Sequence, residues 1–271
     1  SIYPRTCSQI LNVLGNEQEW HLAYCPERIV QGYAVQELEK LPQIVAGFTD
    51  YASEQASILF RNITDKIIRS TISEAELIKL FSNSWRYIQF AVANQFYMIA
   101  EDSGQDYDRI RNIMVEGYDR TKGLPSAGFA AGPCLLKDTM QVHAFSNNQF
   151  LLGQAAMSVN EGLPNFIVNN LKSEFDLAKC TVGILGMAFK ADVDDIRDSL
   201  SFKLGKVLRF EGSNVLYSDE FAKNSDFIKA TKLIELSDII IIGAPHTVYK
   251  DLTIPKDVKL VDLWGIIEKD M

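Results

Sequence analysis

Cysteine is scarce in this 271-residue chain: Cys7, Cys25, Cys134 and Cys180 stand far apart, and no secretory pattern precedes them. Reduced thiols in a cytoplasmic protein are the expectation. Histidine is rarer still. His21, His143 and His246 show no metal-ligand spacing with cysteine or acidic residues, so no metal is expected. Long apolar runs are missing too. The strongest, SDIIIIGAP, has the length of a buried strand, so no membrane span is expected. Positive charge is in deficit: a net charge of -8 argues against a general binder of nucleic acid or anionic membranes, leaving room only for a local basic pocket. There is no internal repeat and no low-complexity segment. What is present, 47% hydrophobic and 23% charged residues, is ordinary globular composition, and the length suggests about two domains. Ser1 is not a start methionine, and SIYPRT opens at once into strand-then-turn chemistry. The expectation is a chain whose natural N-terminal portion is missing.

The texture along the chain changes twice. Residues 1–72 mix short strand-like pieces (EWHLAYC, PQIVAGFT, KIIRSTI) with the helical DYASEQASILFRNI, in α/β style. From Ser73 runs the longest helical signal, with Ser73 and Glu76 as a capping box, Gly104 as a stop, and apolar residues at Leu77, Leu80, Phe81, Ile88, Val92, Phe96 and Ile99. Further helices are expected over DYDRIRNIMVEG and from Lys137 to about Asp176. From about residue 177, strand, Gly-containing turn, helix and strand follow one another, and IELSDIIIIGAP and VKLVDLW add two apolar strands. That is a second α/β unit.

Chemistry-bearing residues stand out against this frame. In AGFAAGPCLLKDTMQV, Cys134 follows a Gly/Ala-rich loop and a proline and precedes Lys137 and Asp138. A thiolate adds to carbonyls, and neighbouring cations favour it, while a structural cysteine is an equal reading. Lys79 and Asn83 lie four residues apart on the long helix, with Arg86 beyond them; in a mostly buried helix such a stripe needs polar partners or a ligand. Glu27 in CPERIVQG could act as a base, although an exposed loop glutamate is commoner. In GMAFKADVDDIRDS, Lys190 lies just beyond a strand-helix turn whose amides, with Arg197, would suit a diphosphate. GILGMAFK is not a full G-x-G-x-x-G, so spacing alone does not make this a nucleotide site.

Five stretches, SIYPRT, CPERIVQG, ELIKLFSNSWRYIQFAVAN, GFAAGPCLLKDT and LGMAFKADVDDIRDS, taken in order, resemble the nucleotide-sugar 6-dehydrogenases, the UDP-glucose and UDP-N-acetylmannosamine dehydrogenase family. The resemblance covers nearly the whole chain. It implies a remnant of an N-terminal Rossmann domain for NAD (1–72), a central helical dimerisation domain carrying the cysteine loop (73–176), and a C-terminal Rossmann-like UDP-binding domain (177–271). Residue 1 already matches a late strand of the first domain, so the adenosine half of the NAD site is expected to be absent and the chain inactive alone.

The implied chemistry is a double oxidation of a sugar C6 alcohol to the acid with two NAD+, serving surface-polysaccharide precursors. Cys134 resembles the nucleophile that forms thiohemiacetal and thioester. Lys79 resembles the proton acceptor or alkoxide stabiliser, with Asn83 donating to the same oxygen. Glu27 and Asp138 would handle water and protons. Arg28, Ile29, Arg86, Arg120, Gly132, Phe189 and Lys190 fall to the substrate, and Arg197, Ser1 and Lys137 to the cofactor. Arg86 favours an N-acetylhexosamine over glucose. The chain departs from the family at Ala131, where a glycine is usual, at Gln95 after Asn94, and in VDLWGII, which lacks an arginine after the aspartate. Two other readings stand beside this one: a non-catalytic UDP-sugar-binding and dimerisation module, and a hydroxyacid dehydrogenase that needs no thiol.

Overall fold

The computed structural model describes residues 1–15 and 20–267. The chain divides into two compact units, Ser1–Trp85 with Lys137–Leu151 and Arg86–Leu136 with Leu152–Met271.

The first unit runs α1 (Thr6–Leu14), β1 (Ala23–Tyr24), α2 (Ala34–Lys40), β2 (Gln43–Gly47), α3 (Asp50–Phe60) and β3 (Ile67–Arg69). The three strands lie in the order β1-β2-β3, antiparallel and then parallel. The central β2 is a continuous apolar run, with Val45 and Ala46 fully buried, as a strand covered on both faces requires. The strand expected over EWHLAYC shortens to β1, and its Glu19 lies outside the described residues. Gly47 makes the turn into α3: a Cβ there would lie 2.6 Å from Ser53 Oγ, which accepts the Gly47 N–H. Thr49 caps α3, its hydroxyl accepting the Ala52 N–H at 3.1 Å.

The long helix α4 spans Ile72–Asp102. Its N-terminus differs from the sequence expectation by two residues. Thr71 and Glu74 form the capping box: the Thr71 N–H donates to Glu74 at 2.8 Å, and the Glu74 N–H donates to Thr71 Oγ1 at 3.3 Å. Glu76 is drawn away instead, accepting the N–H groups of Arg5 and Cys7 at the start of α1. At the other end Gly104 is left-handed (φ 68°), and the N–H groups of Gly104 and Gln105 return to the carbonyls of Glu101 and Ala100, closing the helix as expected. α4 buries Leu80, Tyr87 and Tyr97 along with small and polar residues such as Ala75, Ala91, Ala93 and Asn94; contrary to the expected burial, it exposes Phe81, Trp85, Val92, Phe96 and Ile99.

In the second unit α5 (Tyr107–Val115) is capped by Asp106. The helical stretch expected over 137–176 is two helices, α6 (Leu135–Phe145), which belongs to the first unit from Lys137 on, and α7 (Leu151–Glu174). They are separated where Asn147 and Asn148 turn left-handed, a region asparagine tolerates. Then follow β4 (Thr181–Leu185), α8 (Leu200–Phe210), β5 (Asn214–Ser218), α9 (Ala230–Leu236), β6 (Ile239–Ile242) and β7 (Lys259–Val261). The four strands are parallel in the order β5-β4-β6-β7. All four isoleucines of β6 are fully buried. Ile239 and Ile241 pack with Ile167, Leu171 and Leu204, and Ile240 and Ile242 with Leu233 and Tyr249. Burying each such side chain contributes roughly 1.5–3 kcal/mol, and this two-sided cover explains a run without polar alternation. The helix after the β4 turn starts only at Leu200, so residues 186–199 form a long loop where a tight strand-helix turn was expected. The fold is α/β with a helical middle and a C-terminal parallel α/β unit. Among the described residues no helix is long and apolar enough to cross a membrane.

Candidate functional site

Within the first unit, polar groups gather on Asp138. It sits in the first turn of α6, is fully buried, and a buried carboxylate needs donors. Ser1 Oγ donates to both its oxygens, at 2.7 and 2.6 Å, and Asn83 Nδ2 donates to Oδ2 at 2.6 Å. Lys137 Nζ lies 3.3 Å from Oδ1. One turn before Asn83 on α4, the largely buried Lys79 ammonium stands 4.0 Å from the exposed carboxylate of Glu27. Glu27 is also tied to its own loop by the Ile29 N–H, and the Arg28 guanidinium donates to the Pro42 carbonyl. Burial and the charges of Cys7, Glu76 and Asp138 push the Tyr24 phenol up to about 12, a sign of the negative field here. Burial, with Glu76 adding to it, pushes the Cys7 thiol up to about 12, so Cys7 is no nucleophile near neutral pH.

Within the second unit, Cys134 is exposed directly before α6. The loop ahead of it is gripped at two points. At its far end the Asn94 side chain reads both sides of Gly128, accepting the N–H at 2.8 Å and donating to the C=O at 2.9 Å. Asn94 also donates to Asn160 at 2.9 Å, and Asn160 donates to the Tyr87 carbonyl at 3.0 Å, all of it buried. At its near end Gly132 is left-handed (φ 96°) and lies against the Phe189 ring, which a Cβ would approach to 2.6 Å. The Gly132 N–H donates to the Asp198 carbonyl at 3.3 Å, and the Phe189 N–H donates to the Asp195 carbonyl at 3.0 Å. Arg197 clamps the Asp195 carboxylate through Nε at 3.0 Å and through NH2 at 2.6 Å. Asp195 holds the guanidinium above its usual range, with smaller contributions from Cys134 and Asp198. The loop after β4 therefore brings Phe189 and Arg197 up to the cysteine loop. The half-buried Lys190 follows Phe189. Arg86 is exposed on α4, and Arg120 is engaged with Tyr118, its NH1 3.3 Å from the hydroxyl.

Residues 73–162 match the family model for the UDP-glucose/GDP-mannose dehydrogenase central domain, and residues 183–269 match that family's UDP binding domain. The chain belongs to the UDP-glucose/GDP-mannose dehydrogenase family. It is 30% identical over 267 residues to a UDP-N-acetyl-D-mannosamine dehydrogenase of Methanocaldococcus jannaschii, covering 96% of this chain and 61% of that protein. A Methanococcus maripaludis protein of the same name is 29% identical, with 95% of this chain and 60% of the relative covered. The chain thus spans about 60% of the length of these curated relatives. The solved structure of a UDP-D-ManNAc dehydrogenase from Pyrococcus horikoshii superposes with a TM-score of 0.88 at 25% identity, covering 99% of this chain and 68% of that one. A Staphylococcus aureus UDP-N-acetyl-mannosamine dehydrogenase shares the fold, with a TM-score of 0.84 at 22% identity, over 99% of this chain and 67% of that one.

One expectation about the loop after β4 is corrected. The turn was expected to offer backbone amides to a diphosphate beside Lys190. The amides of Met187 and Ala188 instead donate to the Asp219 carboxylate, at 2.7 and 2.9 Å. The Met187 and Ala188 amides are therefore not free for a diphosphate. The sequence reading also passed over Asn94, Asn160, Asp219 and His246. Asn94 and Asn160 left a signal, being asparagines inside apolar helices, and Asn160 precedes Pro164 by one turn, where the ring removes the N–H that would meet its carbonyl. Asp219 and His246 left little, because their partners are distant in sequence. Among the described residues no group of three or more His, Cys, Asp or Glu side chains could hold a metal ion.

Proposed function

We propose that this chain carries the substrate and thiol machinery of an enzyme that oxidises the C6 alcohol of a UDP-sugar to the carboxylate. The observation that carries the reading is Cys134: an exposed thiol at the end of a loop whose Gly132 lets the Phe189 ring pack directly against it. The thiol adds to the C6 aldehyde, giving a thiohemiacetal. Loss of hydride from C6 leaves a thioester, and water cleaves it to the acid and the free thiol. The family resemblance implies NAD+ as hydride acceptor for both oxidations. No hydride step is assigned to this chain's residues.

Lys79 is the proton acceptor or the stabiliser of the developing alkoxide, its carboxylate neighbour Glu27 serving the water of hydrolysis. Asn83 commits one N–H to Asp138 and directs the other to the same oxygen. Asp138, pinned by Ser1, Asn83 and Lys137, holds these groups in register. Phe189 and Lys190 bind the UDP-sugar, with Arg28, Ile29, Gly132 and Arg120 as further contacts, and Arg197 sets the charge beside Cys134. An N-acetylhexosamine is the favoured sugar. Arg86 offers a donor to an acetamido carbonyl, and the relatives from Methanocaldococcus jannaschii and Methanococcus maripaludis carry the name UDP-N-acetyl-D-mannosamine dehydrogenase. The exposed apolar stripe on α4 supports a homodimer.

The test uses this chain as it stands. Calorimetry should show UDP binding and no NAD binding, and UDP-N-acetylmannosamine should slow alkylation of Cys134. NAD binding without UDP binding would overturn the assignment of the C-terminal unit. Alkylation at an unchanged rate under saturating UDP-sugar would remove Cys134 from the site.

A further inference from the structure

One cluster in the second unit has no part in the chemistry above. Asp219, just past the end of β5, has no exposed side-chain surface, and neither has His246, which follows β6. Five donors converge on this one carboxylate. Its Oδ1 accepts the N–H groups of Phe221 at 2.9 Å and Ala222 at 2.7 Å. Its Oδ2 accepts those of Met187 at 2.7 Å and Ala188 at 2.9 Å, and faces His246 Nε2 at 3.1 Å. The Asp192 N–H donates to His246 Nδ1 at 2.8 Å. A ring nitrogen that accepts carries no proton, so the proton is on Nε2 and is donated to Asp219. The Phe221 ring stacks on the imidazole at 4.8 Å, fixing its plane. Asp192 is left-handed (φ 57°), and its carboxylate accepts the N–H and hydroxyl of Thr247, at 2.8 and 3.1 Å.

Met187–Asp192 is therefore pinned at both ends, by Asp219 on its first two amides and by His246 on its last. Between the pins stand Phe189 and Lys190. In parallel α/β sheets the amides after the first strand ordinarily receive a ligand's phosphate, and an acid after the next strand receives its ribose. Here the acid after β5 has turned inward and occupies those amides itself.

We propose that Asp219 and His246 form a positioning pair, a built-in anion and its neutral imidazole partner. It takes the place of a bound phosphate and presents Phe189 and Lys190 in fixed geometry to the UDP-sugar. The role of the presented residues rests on the functional reading above; the anchoring of the loop does not. Both carboxylate oxygens only accept, so an amide NH2 fits at neither position. Asp219→Asn sets an N–H against Phe221 and Ala222 or against Met187, Ala188 and the imidazole.

The experiment pairs UDP calorimetry with 15N NMR on this chain, wild type and Asp219→Asn. The wild-type His246 ring should show the neutral Nε2–H form, and UDP should bind Asp219→Asn about tenfold more weakly, as leaving buried donors unpaired at an anchored loop implies. A wild-type ring protonated at Nδ1, or UDP affinity within about twofold of wild type in the folded variant, overturns the proposal. If the wild type itself fails to bind UDP, the functional reading falls and the pair is judged by the Phe189 and Lys190 amide resonances alone. Broadening or rapid exchange in the folded variant supports it, and unchanged resonances overturn it. Should Asp219→Asn not fold, His246→Leu decides in the same two measurements: it removes both the donor toward Asp219 and the acceptor for Asp192, so unchanged affinity and unchanged amides overturn the proposal.

Discussion

Asp219 shows how far a side chain can be pulled from its ordinary chemistry by its surroundings. Burial alone would raise its pKa, but His246 and the backbone donors of Ala222, Phe221 and Ala188 outweigh it and lower the carboxyl from 3.8 to about 2. A carboxyl depressed in the folded state stabilises the fold fully above its unfolded pKa and loses that contribution as pH falls through the folded value. The window is therefore from pH near 4 down to pH near 2, and the shift corresponds to about 2 kcal/mol. Urea unfolding of wild type and Asp219→Asn should show a stability gap that is constant between pH 7 and 5 and narrows below pH 4. A gap of the same size at pH 3 would mean that the carboxylate's charge is not what the loop amides require. Asp219 was invisible in the sequence because its donors come from Met187 and Ala188 on one side and His246 on the other, a convergence that only the sheet order creates. The exposed setting of Cys134 was legible for the opposite reason: its glycines, proline and following Lys-Asp pair are all within a few residues of the thiol.

At the scale of elements, two overlapping signals competed for the start of α4. Thr71-x-x-Glu74 and Ser73-x-x-Glu76 both satisfy the capping-box spacing. Which one wins is decided elsewhere, since Glu76 is buried and bound to the first amides of α1, leaving Thr71 and Glu74 to close the helix. Thr71→Ala should then cost about 1 kcal/mol of unfolding free energy, and Ser73→Ala less than about 0.5 kcal/mol, measured by urea titration. The reverse ranking would place the helix start where sequence alone put it. The same logic marks which elements could be read. β2 and β6, buried on both faces, announced themselves as apolar runs, and Gly104 announced the end of α4. The division between α6 and α7 was hidden, because SNNQ carries no glycine or proline and the break rests on two asparagines taking left-handed backbone. The delayed start of α8 was hidden as well, the turn after β4 having been mistaken for a tight one.

For the molecule as a whole, the decisive surface is the outward side of α4. α4 buries Leu80, Tyr87 and Tyr97 together with its alanines and asparagines, yet it leaves Phe81, Trp85, Val92, Phe96 and Ile99 exposed. Phe96 and Ile99 also line an apolar groove of about 320 Å3 with Tyr107, Ile110 and Met114, next to the exposed Ile113 on α5. Contiguous exposed apolar surface of this kind marks an interaction face. Its sequence signature was plain, the helical spacing of those residues, but periodicity reports which residues share a face and not what covers it. In the homodimer reading a second copy covers it, and Phe96 is the anchor in the groove. Sedimentation equilibrium should show a dimer for the wild type. Phe96→Glu should weaken it by about 2 kcal/mol or more, roughly thirtyfold in dissociation constant, because a charge replaces an aromatic ring in a desolvated contact. Since Phe96 is already exposed in the single chain, the variant's own unfolding midpoint should hardly move. A wild type that stays monomeric at tens of micromolar, or a Phe96→Glu chain that dimerises as before, would remove α4 from the interface.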